Sequence, residues 1–207
     1  MSGEHAGRAA HEGHAGHGSA ESPEGHDSRG MAASATLHCL TGCAIGEILG
    51  LVIGTAAGLA TGWTIVVAVA LAFLFGYTLS TLPLLRSGLA VGAALTVVLA
   101  ADTLSIAVME VVDNAVMALV PGAMDAGLDN PVFWLSMMLA LSVAFFAAYP
   151  VNRWLLQRGK GHALTHQYHG AYAPTGVRRF IPSFSTGALV AVIVAFMLGG
   201  LLASLAA

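Results

Sequence analysis

Apolar runs of roughly 20 residues, the length that crosses the hydrocarbon core of a bilayer, recur along most of this chain. Such a segment has no water to satisfy its backbone, so it must be a helix or part of a closed barrel. Continuous rather than alternating apolarity selects helices. Five spans are read: about Leu37 to Ala60, Thr64 to Leu82, Leu89 to Val112, Val132 to Leu156 and Phe184 to Leu205. Thr61-Gly62-Trp63 is read as the first turn, Pro83 stops the second span, and the third can continue as helix to Pro121. The composition agrees: 57% of the 207 residues are hydrophobic and 9% charged, against about 25% charged in an average soluble domain. The expected fold is all-α, a polytopic transmembrane bundle over residues 34–207 behind a disordered tail at residues 1–33.

The tail is low-complexity. Met1 to Gly30 holds mainly Gly, Ala, Ser and Glu, with His5, His11, His14, His17 and His26. It is too polar to bury a core, and it has no apolar segment of the signal-peptide kind. Histidines on a flexible tail bind Zn2+, Cu2+ or Ni2+ weakly; a solvated tail with no fixed role is the equal alternative.

Orientation follows from the basic residues. Arg8 and Arg29 precede the first span, Arg86 lies between the second and third, and Arg153, Arg158, Lys160, Arg178 and Arg179 lie around the fourth-to-fifth connection. An odd number of spans puts all eight on one side. By the positive-inside rule that side is cytoplasmic. The chain is then expected in the cytoplasmic (inner) membrane, N-terminus inside and C-terminus outside.

The first span carries glycine at every fourth position: Gly42, Gly46, Gly50, Gly54 and Gly58, with Gly62 beyond it. Fourth neighbours share a helix face, so these form a smooth ridge for close helix packing. Beside the ridge stand His38, the only two cysteines, Cys39 and Cys43, and then Glu47. Two thiols at this spacing in one helix are too far apart for an unstrained disulfide; they suit a shared soft metal ion or a redox partner. Alone, each thiol reads better as a small apolar filler beside the ridge. Glu47 lies roughly 15 Å into the helix at 1.5 Å per residue, a depth where an ionisable group is costly and usually functional; the alternative is a protonated carboxyl bonded to a neighbouring helix.

Two further groups complete the picture. His162, His166 and His169 follow the fourth span at spacings that put three imidazoles on one stripe of a helix, a pattern that can ligate one metal ion; contact with water or headgroups is the alternative. In the third span, Asp102, Met109 and Asp113 share a narrow arc flanked by Ser105, Glu110 and Met117. That stripe can line an ion or proton path. Glu110 and Asp113 read equally as a solvated helix end outside the bilayer. Tyr149 and Trp154 suit an interfacial aromatic belt, Pro150 suits a kink, and Asn152 suits a cap for that break.

With His38-Cys39-x3-Cys43-x3-Glu47 and the Pro150-Val151-Asn152-Arg153-Trp154…Gly159-Lys160-Gly161-His162 stretch in place, the chain resembles a prokaryotic family of small integral membrane proteins classed as a domain of unknown function. The resemblance covers about Leu37 to Leu205 and implies a helical membrane fold, with no activity to carry over. The paired cysteines also resemble those of mercuric-ion transport proteins, but those cysteines are adjacent and these are four apart, so that function does not transfer.

No P-loop, catalytic triad or basic aromatic-interleaved face occurs, so neither nucleotide, nucleic acid nor enzymatic chemistry is expected. The expected function is binding and translocation of a transition-metal ion of the copper or zinc class. His38, Cys39, Cys43 and Glu47 would form the site together with His162, His166 and His169, and Asp102 would act as a relay. Transport would be passive, ion-coupled or driven by a partner. The rival is a membrane scaffold whose glycine ridge docks a partner helix or a second copy. A third reading is a thiol-redox or haem protein, for which His38 is the sole candidate ligand within a span.

Overall fold

The computed structural model describes residues 23–158 and 176–207, with backbone alone for residues 23–28. His162, His166 and His169 and the first four tail histidines lie outside the described residues. Five helices follow in order: α1 Pro23–Ala56, α2 Thr61–Arg86, α3 Val91–Leu119, α4 Pro131–Gln157 and, after a short 3-10 turn at Gly176–Phe180, α5 Thr186–Leu205. All five are long and apolar enough to cross a membrane, α1 over Arg29–Ala56. No strand occurs among the described residues.

α1 is the central element. It packs against each of the other four helices, which stand around it as an arc in the order α2, α3, α4, α5. The glycine ridge explains its closest contact. A Cβ added at Gly42 would lie 2.5 Å from the Gly76 Cα, one at Gly46 would lie 2.6 Å from the Leu71 carbonyl carbon, and one at Gly50 would lie 2.6 Å from the Ala68 Cβ. Only glycine permits that approach, so the ridge is filled by α2 of the same chain and offers no docking surface to a partner. Gly58 is not part of it: at φ +64° it forms the turn into α2, closed by the Leu59 N–H donating to the Gly54 carbonyl at 2.8 Å.

Several boundaries differ from the sequence expectation. α1 begins at Pro23, inside the stretch read as tail. Proline presets helical φ at a first turn. Further on, Ala32, Ala35 and Thr36 are already buried in the bundle. α2 starts at Thr61, where a turn was expected, and runs through Pro83 to Arg86; a proline one turn from a helix end forfeits a single backbone bond. α3, by contrast, continues to Leu119 as the longer sequence reading allowed, and the chain becomes extended ahead of Pro121.

Among the described residues, the basic ones gather at one end. Arg86 donates from Nη1 to the Ile181 carbonyl at 3.1 Å, Arg178 lies against Gly88, and the Thr186 hydroxyl donates to Ser34 at 3.0 Å. Asn152 caps nothing. It is buried, and its Nδ2 donates to the Thr36 hydroxyl at 2.8 Å, tying α4 to α1. Trp154 is exposed with the Arg158 guanidinium 4.0 Å over its ring, as an interfacial anchor requires.

Candidate functional site

The site is the seam between α1 and α3. On α1, Cys39, Cys43 and Glu47 recur at four-residue spacing and share the face beside the glycine ridge. On α3, Asp102, Ser105, Met109, Glu110, Asp113 and Met117 form the buried stripe. The two helices run in the same direction, so the stripes pair in register. Cys39 lies beside Asp102, with Ser105 and Ser80 of α2. Cys43 lies beside Glu110 and Glu47. Glu47 lies beside Asp113 and Glu110. On α1 these residues are about 6 Å apart along the axis, whereas on α3 Asp102 and Glu110 are about 12 Å apart and Glu110 and Asp113 about 4.5 Å, at 1.5 Å of rise per residue.

The reading of Glu110 and Asp113 as a solvated helix end is overturned: each is 4% exposed, and Glu47 is 8% exposed. Two features enclose them. α3 extends a further two turns past Val112. The connection to α4 also folds inward, burying Ala123 and Ala126, and is pinned where Trp134 Nε1 donates to the Leu128 carbonyl at 2.8 Å. Asn114 holds its own helix, donating to the Glu110 carbonyl at 2.9 Å.

What distinguishes the seam is that its buried acids meet one another and thiols with no basic group beside them: Glu47 faces the Asp113 carboxyl, Glu110 faces the Cys43 thiol, and Ser80 and Ser105 face the Cys39 thiol. No Lys or Arg occurs between Ser87 and Asn152, or in α1 after Arg29. An ionised carboxylate costs up to about 2.5–3.5 kcal/mol at the centre of a span and less toward its ends, so three left charged with no basic partner would still weigh against the roughly 5–15 kcal/mol by which a domain is stable. A cation brought to the seam would offset that charge.

Beyond Glu47 and Asp113, at the end opposite the basic residues, a cavity of about 90 Å³ opens between α1, α2, α3 and α4. Glu47, Asp113, Asn114, Met117, Met124 and Met137 line it. Met124 and Met137 are invisible to a helix-by-helix reading, because they come from the α3–α4 connection and from α4. Ser80 was equally missed; its only signal is a polar residue in an apolar span.

Three members of the expected chelating cluster, His162, His166 and His169, lie outside the described residues. Among the described residues, no three His, Cys, Asp or Glu side chains converge into a ready metal centre. Cys39, Cys43 and Glu47 are strung along the seam instead. His38 is half-buried, with Nδ1 donating to the Ser34 carbonyl of its own helix at 2.8 Å. The structure thus unites the first-span thiols and acid with the third-span carboxylates, two groups that the sequence left separate. Met109 is buried in the same stripe.

Comparison with curated proteins and with solved structures gives no match. A family model does match, over a narrower stretch than the resemblance implied: it takes in α1 from Arg29 through α4 and leaves α5 out. It includes every residue of the seam. Over residues 29–161 the chain belongs to the family described as Domain of unknown function (DUF4396).

Proposed function

We propose that this multi-pass membrane protein conducts a transition-metal cation of the copper or zinc class along the α1–α3 seam. The observation that carries the reading is the run of buried carboxyl groups at Glu47, Glu110 and Asp113, with no basic group among them, beside the Cys43 thiol. Paired donors in successive levels suit passage better than a closed four-ligand site, since conduction needs several weak positions in a row. Thiols and thioethers favour soft cations over Mg2+ or Ca2+, which demand an oxygen cage.

The gathering of basic residues at one end supports an orientation with that end cytoplasmic and the cavity facing outward. The cation would enter by the cavity, pass Glu47 and Asp113, then Cys43 and Glu110, and reach Cys39 and Asp102. His38, and beyond it His162, His166 and His169, would receive it on the cytoplasmic side. The apolar outer faces of α2 to α5 would meet lipid. The scaffold alternative loses its motivating surface, because α2 fills the glycine ridge. The test is cation flux into proteoliposomes, wild type against Glu47→Gln.

A further inference from the structure

Three of the eight methionines in the chain, Met117, Met124 and Met137, line one cavity. Methionine commonly fills irregular gaps in a core. Here the gap remains open, and the same walls carry Glu47 and Asp113. Glu47 is more than nine-tenths buried and its carboxyl faces that of Asp113, with no basic group beside either. Gap filling does not account for a pair of buried acids set against three thioethers. A ligand that takes both donor types does.

The donor set narrows the ligand. Thioether sulfur is a soft, neutral ligand that selects Cu(I)-like ions. Zn2+ is held by Cys, His and carboxylate, normally four of them, and the cavity offers no His or Cys. Ca2+ takes six to eight oxygens, whereas the acidic and amide groups here are Glu47, Asp113 and Asn114. Three neutral sulfurs leave the charge of a monovalent ion uncompensated, and a neighbouring carboxylate supplies it. The volume of about 90 Å³ has room for an ion and a few waters.

We infer that this cavity is a binding site for a soft monovalent d10 cation, Cu(I) or Ag(I), held by the sulfurs of Met117, Met124 and Met137 with Glu47 and Asp113 as counter-charge. This rests on the conduction reading in one respect only: it names the cargo that would enter the seam. The site itself stands or falls on binding.

The test uses Ag+, which needs no reductant, on the purified full chain carrying Cys39→Ser and Cys43→Ser so that thioethers are the remaining soft donors. Ag+ affinity is measured by competition with a chromophoric chelator, and Zn2+ serves as the counter-probe. Substituting Met117, Met124 and Met137 by Leu is expected to weaken Ag+ by about 100-fold or more, two factors of ten in affinity, while Zn2+ moves by less than about 3-fold. Glu47→Gln should weaken Ag+ by about 10-fold. Met138→Leu, on the apolar groove between α4 and α5, should change nothing. If the triple variant unfolds, the half-buried Met124→Leu alone should still cost about 10-fold. Unchanged Ag+ affinity in the methionine variants, or an equal loss of Zn2+, overturns the site. Methionine-sensitive Ag+ binding without flux in the wild type would uphold this site and remove the conduction reading; flux with methionine-insensitive binding would do the reverse.

Discussion

Replacing Gly42 by Ala isolates the contact on which the bundle is built. The new Cβ would stand 2.5 Å from the Gly76 Cα and 2.9 Å from the Phe75 carbonyl carbon. Carbon atoms rest at about 3.5–4.0 Å, so α1 and α2 must part by about 1 Å. The obstructing atoms are backbone and cannot rotate away. Parting there loosens the contacts at Gly46, Gly50 and Gly54 as well, and a gap of 0.5–1 Å forfeits roughly a quarter to a half of each dispersion contact. Overpacking costs about 1–3 kcal/mol, and the rigid target puts this site near the upper end. Alanine recovers about 1 kcal/mol of helix propensity, leaving a net loss of about 2 kcal/mol. Gly62→Ala is the matched control, since nothing lies within 4 Å of its added Cβ. Detergent-solubilised protein titrated with sodium dodecyl sulfate, followed by circular dichroism, reads the difference. Gly42→Ala as stable as Gly62→Ala would refute the close approach.

Asn152→Leu should destabilise by only about 0.6–1 kcal/mol, in the range of interhelical hydrogen bonds in membranes. The Thr36 hydroxyl it abandons still donates to the Ala32 carbonyl at 2.7 Å, so no orphan remains; a loss several times larger in the same titration would show that the bond does more than tie two helices. Cys39 and Cys43 are buried free thiols, so a maleimide should label them at least about 100-fold more slowly in mild detergent than after unfolding, as expected when reaction requires opening of the bundle. Immediate native labelling would place them on an open surface.

The number of spans and the two chemically unusual faces were readable because helical spacing encodes which residues share a face. Cys39, Cys43 and Glu47 fall four apart, and Asp102, Met109 and Asp113 close an arc on α3. Spacing does not encode which face meets which. The parallel course of α1 and α3 places Glu47 beside Asp113, and that depends on α2 returning along the glycine ridge. Glu110 and Asp113 lie near the end of an apolar run, where the sequence alone fits solvent equally well; the inward-folded connection carrying Ala123 and Ala126 decides it. Pro83 misled because its effect depends on distance from the helix end. Asn152 follows Pro150 closely enough to suggest a local cap, while its partner Thr36 lies 116 residues away in sequence.

The central claim is that cations travel along the α1–α3 seam. Proteoliposomes holding an internal metal-sensitive dye, challenged in turn with Ag+ and Zn2+, test it most directly. The account predicts saturable entry of a soft or borderline metal ion in the wild type and a fall of about 10-fold or more in Glu47→Gln, equivalent to about 1.4 kcal/mol of lost stabilisation for the passing ion, with the helical content unchanged. Entry at the wild-type rate in Glu47→Gln, or no entry of either ion above protein-free vesicles, would contradict it.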